Sequence, residues 1–288
     1  MKPDEVNRVA VIGCGLMGSG ITEVSAKSGM DVTFVEISDE KVQKQRGRLE
    51  KSINTAVEKG KLSQEDGQAA LGRITGTTDY GAASDADLVI EAVTEDLDTK
   101  LDVFGKLDEI TRDDVVLASN TSSLPIGRMA SATKRPDKVL GMHFFNPVPI
   151  MKLLELVRGL QTSDETLDFA RGVGERLGKT VVVSKDRAGF IVNALLSCYL
   201  NMAVRMVEEG FATKEDIDTA VTLGLGHPMG PLTLLDLVGI DTAYAISDVL
   251  YEQFKDPIYS APNLMKQMVQ AGHFGRKTGK GFYDYGEK

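Results

Sequence analysis

Two side chains in this sequence are suited by type and spacing to move a proton at a carbon-bound oxygen. One is His143, inside Gly141-Met142-His143-Phe144-Phe145-Asn146-Pro147-Val148-Pro149; the other is Glu155, twelve residues on, between Leu154 and Leu156. Taking hydride from a secondary alcohol requires a base for the hydroxyl proton, and imidazole titrates close enough to neutral pH to serve in both directions. A carboxylate flanked by leucines on a buried strand is costly unless paired. Pairing with His143 would fix the ring's tautomer and stabilise the imidazolium formed during turnover. Each residue also has a plainer reading. A His before two Phe can be a packed ring with satisfied nitrogens, and strand alternation allows Glu155 to sit on an exposed sheet face. His227, in Gly226-His227-Pro228, reads as a loop residue, and His273 lies in a polar C-terminal stretch. The polar run Ser119-Asn120-Thr121-Ser122-Ser123 follows another strand-like stretch; it offers Ser122 as a donor to a substrate oxygen, or Ser123 as a cap for a helix after Pro125. No G-x-S-x-G elbow is present, which disfavours acyl-enzyme chemistry.

Hydride chemistry also needs a carrier, and the N-terminus supplies the pattern for one. Arg8 to Ile12 reads as a short apolar strand, followed by Gly13-Cys14-Gly15-Leu16-Met17-Gly18 and an amphipathic helix through Ile21 and Val24. In that context the glycines permit a tight turn and close approach of a pyrophosphate, held by backbone N–H groups at the helix start. A second strand, Asp31 to Val35, ends at Glu36, eighteen residues past Gly18. A carboxylate there accepts from ribose hydroxyls and repels a 2′-phosphate, so NAD is expected rather than NADP.

The elements that position these residues follow from the rest of the pattern. The chain has 288 residues, 42% hydrophobic and 26% charged, enough for one or two ordinary cores. It has no apolar run of membrane-spanning length, and its first residues, MKPDEVN, lack the character of a signal or transit peptide, so a cytoplasmic protein is expected. Cys14 and Cys198 read as two reduced thiols, and nothing has metal-ligand spacing. A formal charge of −9 argues against nucleic acid as a partner. Against that background, residues 41–61 concentrate Lys41, Lys44, Arg46, Arg48, Lys51, Lys59 and Lys61 against only Glu50 and Glu58, which reads as a solvated face or an anion site.

That basic segment falls in a helical hairpin, about 39–71, inserted between strands. Strand-like runs recur at 88–90, 115–118, 139–141, 153–157 and 180–183, with helical stretches between most of them. The alternation predicts an α/β fold: a Rossmann-type doubly wound, mainly parallel sheet over residues 1–186. Residues 187–288 read as wholly helical.

Taken together, Gly13 to Gly18, Ala118 to Ser123, His143 to Pro149 with Met151-Lys152-Leu153 and Glu155, Gly189-Phe190-Ile191-Val192-Asn193, and Pro228-Met229-Gly230-Pro231 resemble the short-chain L-3-hydroxyacyl-CoA dehydrogenase family, especially its bacterial 3-hydroxybutyryl-CoA branch. The likeness runs in order through nearly the whole chain. It implies reversible NAD-dependent oxidation of a short-chain (S)-3-hydroxyacyl-CoA. His143 would be the base or acid, Glu155 its partner, and Ser122 and Asn193 donors to the reacting oxygen. The resemblance further implies a cofactor site lined by Gly13, Gly15, Leu16, Met17, Gly18, Glu36, Glu95, Lys100, Asn120, Ser122, Asn146 and Lys277. For coenzyme A it implies Ser52 and Lys59, beside Ser122 and Asn193. It also implies a homodimer formed through a helical C-terminal domain that serves substrate binding. The acid after the second strand is Asp in many relatives and Glu36 here; the longer arm still reaches a ribose, leaving NAD favoured and dual use open. Two rival readings remain at this stage, a polyol or gulonate-type sugar-acid dehydrogenase on the same scaffold and a non-catalytic nucleotide-binding protein.

Overall fold

The structure, a computed structural model, describes residues 1–286. The chain divides into two compact units, Met1–Arg187 and the residues from Ala188 onward.

The first unit is built on an eight-stranded sheet. Its strands are β1 (Arg8–Ile12), β2 (Asp31–Val35), β3 (Ile74–Thr77), β4 (Leu88–Glu91), β5 (Val116–Ser119), β6 (Val139–Phe144), β7 (Leu153–Arg158) and β8 (Thr180–Lys185), in the spatial order β3-β2-β1-β4-β5-β6-β7-β8. Around it run α1 (Leu16–Lys27), α2 (Asp39–Glu58), α3 (Gln64–Gly72), α4 (Leu97–Ile110), α5 (Ile126–Ala130) and α6 (Asp164–Arg176). Strands buried on both faces read as continuous apolar runs, as in the wholly buried Leu88-Val89-Ile90 of β4. The chain leaves β1 for β2 on one side and later returns to pair β4 on the other, so the carboxyl ends of β1 and β4 form the switch point where open α/β sheets bind ligands.

One pair breaks the parallel pattern. Between β6 and β7 only residues 145–152 intervene, too few for a crossover helix, so β7 returns antiparallel and His143 pairs directly with Glu155. Two local differences from the sequence reading follow. β6 runs on through Phe144, which puts His143 within the strand rather than after it. β3, four residues of modest apolarity, is an additional strand that pairs β2 beyond the helical hairpin.

The second unit comprises α7 (Val192–Glu208), α8 (Lys214–Gly224), α9 (Pro231–Val238), α10 (Ile240–Phe254) and α11 (Asn263–Gln270), around Leu200, Val204, Leu232, Leu235, Ile240 and Met265. Two buried acids fasten its C-terminal segment. Asp236 accepts from the Phe282 and Tyr283 N–H groups (both 2.9 Å), and Asp218 from the Tyr283 hydroxyl (3.0 Å).

Candidate active site

Residues opposite one another in an antiparallel pair share a face with Cβ atoms about 5 Å apart, close enough for an imidazole and a carboxylate to meet. His143 Nδ1 lies 2.8 Å from Glu155 Oε2, with Glu155 wholly buried and His143 nearly so. Glu155 is therefore not on an exposed sheet face. Were Nδ1 the donor to a Glu155 oxygen, the ring would hold its lone pair on Nε2. The Phe145 ring packs against the imidazole at 4.5 Å between centroids. Between the two rings in sequence, the Phe144 N–H donates to Asn120 Oδ1 at 2.9 Å, tying the His strand to the Ser119–Ser123 run.

That run is organised by acids. Glu95 Oε1 accepts from the Thr121 hydroxyl (2.6 Å), the Ser122 N–H (2.8 Å) and hydroxyl (3.2 Å), and the Ser123 N–H (3.2 Å). Burial on its own would raise the Glu95 carboxyl, but the Lys100 ammonium and the Thr121 and Ser122 hydrogen bonds outweigh it and hold the group below the ordinary carboxylate range. Ser123 is thus a ligand of Glu95 and not the cap of α5. The first N–H groups of α5, Ile126 and Gly127, donate instead to Asp186 at 3.0 and 2.8 Å. Lys100 points inward; its ammonium lies 2.6 Å from Glu91 and 3.4 Å from Glu95.

The glycine turn has the geometry of an anion cradle. Gly13 adopts φ +86°, and a Cβ there would meet Ala92 O at 2.8 Å; a Cβ on Gly18 would sit 1.8 Å from Gly13 O, so α1 can begin this close to β1 only with glycine. Gly15 faces open space, and α1 has no side-chain cap, so its first N–H groups, with those of Leu16 and Met17, point toward an incoming anion. Glu36 Oε1 accepts from Cys14 N–H at 2.9 Å and Oε2 from Ile37 N–H at 3.2 Å, which fixes the carboxylate beside the turn with lone pairs left for ribose hydroxyls. These residues fit a dinucleotide. Burial pushes the neighbouring Cys14 thiol up to about 12.

In α2 the basic face is real but not wholly available. Arg46 is tied down by Glu50 and by the Ile74 and Leu71 carbonyls, whereas Lys41, Lys44, Arg48, Lys51, Lys59 and Lys61 are exposed. Ser52 and Lys59, both exposed, are seven residues and about two turns apart, hence on one side. Asn146 is exposed just past the His strand. In the second unit, Asn193 opens α7, and Lys277 pairs with Asp241 at the start of α10 (2.6 Å).

Three residues of the first unit were not singled out from sequence: Glu91, Lys179 and Asp186, the acceptor at the start of α5. Glu91, last residue of β4, was detectable as an acid closing an apolar strand nine residues before Lys100. Lys179 donates to the Val148 and Met151 carbonyls, holding the loop between β6 and β7; burial lowers its ammonium below the usual range. No sequence signal marks it. Among the described residues, no group of three or more His, Cys, Asp or Glu side chains is placed to hold a metal ion.

An imidazole backed by a buried carboxylate, on the same sheet edge as a dinucleotide cradle, fits a nicotinamide-dependent dehydrogenase acting on an alcohol or its carbonyl partner. The family profile described as 3-hydroxyacyl-CoA dehydrogenase, NAD binding domain, matches residues 8–187, and the one described as 3-hydroxyacyl-CoA dehydrogenase, C-terminal domain, matches residues 189–285. The chain belongs to the 3-hydroxyacyl-CoA dehydrogenase family, and NAD is its cofactor. It is similar to a 3-hydroxybutyryl-CoA dehydrogenase of Mycobacterium tuberculosis, 53% identical over 98% of this chain and 99% of that one. It is also similar to one of Clostridioides difficile, 46% identical over 96% of this chain and 99% of that one. Among solved structures, the (S)-3-hydroxybutyryl-CoA dehydrogenase of Ralstonia eutropha superposes with a TM-score of 0.95 at 44% identity, covering 98% of this chain and 100% of that one.

Proposed function

We propose that this protein catalyses the reversible oxidation of (S)-3-hydroxybutyryl-CoA, or another short-chain (S)-3-hydroxyacyl-CoA, to the 3-oxoacyl-CoA. When bound, NAD supplies the acceptor for the hydride that leaves C3. The chain's own residues do the remaining work. His143 takes the hydroxyl proton on Nε2 during oxidation and returns it during reduction, while Glu155 balances the positive charge that the ring gains. Ser122 donates to the reacting oxygen. Glu95 holds the serine loop through the backbone N–H groups of Ser122 and Ser123, so the Ser122 hydroxyl can turn to substrate without displacing the loop. Gly13, Gly15, Leu16, Met17 and Gly18 cradle the pyrophosphate, Glu36 takes the ribose, and Glu95, Lys100, Asn120 and Asn146 complete the first unit's part of the cofactor site. Ser52 and Lys59 meet the phosphates of coenzyme A, for which a Lys is a compact countercharge.

The observation that carries this reading is the 2.8 Å contact between His143 and Glu155 at the cradle's own sheet edge. The substrate follows from the relatives of similar length, named as 3-hydroxybutyryl-CoA dehydrogenases. A homodimer through the helical unit accords with its exposed apolar side chains, among them Leu195 and Met202 on α7 and Leu223 on α8. No helix of the described residues is long and apolar enough to cross a membrane, and Cys14 and Cys198 are free thiols, which accords with the cytoplasm. The test is NADH oxidation by purified protein with acetoacetyl-CoA, beside free acetoacetate and a keto sugar acid. Turnover confined to the CoA ester supports the proposal. Equal turnover with the free acids, or none with the ester, rejects it.

A further inference from the structure

A buried acid that takes no part in the proton transfer stands at the centre of the cofactor edge. Glu91 closes β4 with its side chain wholly buried, and each carboxylate oxygen is engaged: Oε1 by the Lys100 ammonium (2.6 Å) and the Val93 N–H (2.7 Å), Oε2 by the Ser119 hydroxyl (2.6 Å). Each partner leads to a different part of the site. The Ala92-Val93 backbone fixed by the Val93 bond is the surface against which the Gly13 turn packs. The Lys100 ammonium, itself buried, bridges to Glu95, the acid that gathers Thr121, Ser122 and Ser123. Ser119 precedes Asn120, whose side chain receives the Phe144 N–H beside His143. Its hydroxyl also accepts from the Thr121 N–H at 3.2 Å, at the base of the serine loop.

We infer that Glu91 is a positioning residue for the dehydrogenase reaction: anchored by Ser119, it acts through Lys100 to fix Glu95 and the Ser122 loop against the glycine turn. The inference rests on the reading that these groups form the cofactor and substrate site. Taking a carboxylate and an ammonium out of water is expensive, and a neutral apolar pair of similar volume would serve packing at least as well. What the charged pair adds is direction. The ammonium can satisfy itself only where both acids point at it, so Glu95 and the loop it gathers are held in one arrangement.

The test is a double-mutant cycle read by NADH binding in the absence of acyl-CoA, followed by nicotinamide fluorescence and paired with thermal melting. Glu91→Gln is expected to weaken NADH about 10-fold or more, the scale of one lost charge-assisted hydrogen bond. Lys100→Met is expected to weaken it comparably, and Glu91→Gln/Lys100→Met no further than Lys100→Met alone, because Glu91 acts through Lys100. Glu91→Asp, which keeps the charge, is expected to stay closer to wild type than Glu91→Gln. A folded Glu91→Gln protein with wild-type NADH affinity and only a lower melting temperature shows a merely structural role and overturns the inference. So do penalties that multiply in the double variant. Should Glu91→Gln fail to fold, the double variant, which removes both buried charges, is compared with Lys100→Met: equal affinity supports the inference and weaker affinity overturns it. Wild-type protein that binds NADH yet leaves acetoacetyl-CoA unreduced would reject the proposed substrate while this comparison still stands.

Discussion

Replacing Glu155 by Gln keeps the volume of a wholly buried side chain and removes only its charge and its obligatory acceptor character. The wild-type pair spans 2.8 Å with water excluded from the acid, so the imidazolium formed in the transition state gains a charge-assisted hydrogen bond that a neutral amide cannot match. At that separation the Coulomb attraction is about 6 kcal/mol for an effective dielectric near 20, but part of it is recovered by the amide dipole and local relaxation. A net loss of about 2 to 4 kcal/mol of transition-state stabilisation corresponds to a kcat roughly 30- to 1000-fold lower. The Gln amide can also donate to Nδ1 and select the opposite tautomer, which places a proton on Nε2 and pushes the loss to the upper end of that range. The assay is steady-state NAD reduction with (S)-3-hydroxybutyryl-CoA, the direction in which the imidazolium forms, with NADH affinity measured separately. Expected are the fall in kcat and an unchanged NADH Kd, since Glu155 lies behind the ring. A Glu155→Gln protein with wild-type melting behaviour and kcat within threefold of wild type would refute the reasoning.

Three further outcomes are expected. Lys59→Glu, a charge reversal on the exposed end of the basic hairpin, should raise the KM for acetoacetyl-CoA about five- to tenfold and leave the NADH Kd unchanged; equal losses for both ligands would contradict the coenzyme A assignment. Gly18→Ala places a methyl 1.8 Å from the Gly13 carbonyl oxygen, so α1 must shift: melting should fall by an amount equivalent to about 1 to 3 kcal/mol and NADH affinity with it, and wild-type values for both would oppose the cradle geometry. With its buried thiol pushed up to about 12, Cys14 stays protonated at pH 8, so iodoacetamide should leave it unmodified in the native protein and modify it after denaturation; native labelling at the denatured rate would contradict its burial.

The legible part of this protein is the part written in local pattern. The glycine turn, its flanking strand and helix, and Glu36 occupy one short stretch, so their relation could be stated before any fold was known. His143 and Glu155 were legible as residue types, but their meeting depends on β7 returning antiparallel, a consequence of the short connection rather than of either residue. The same pairing carries β6 through Phe144, past the end that apolarity alone indicates. Glu91, Asp186 and Lys179 were not singled out because their significance lies in partners far away in sequence: Ser119 for Glu91, the start of α5 for Asp186, and the 148–151 carbonyls for Lys179. Arg46 illustrates the reverse case, in which a cation counted toward an anion-binding face is committed to backbone carbonyls near β3.

In the proposed reaction His143 exchanges the substrate proton, which the turnover of His143→Ala with saturating NADH and acetoacetyl-CoA tests. Loss of a positioned general acid should lower kcat by roughly 10²- to 10⁴-fold while NADH still binds with wild-type affinity. A folded His143→Ala protein that turns over within a few-fold of wild type would contradict the account.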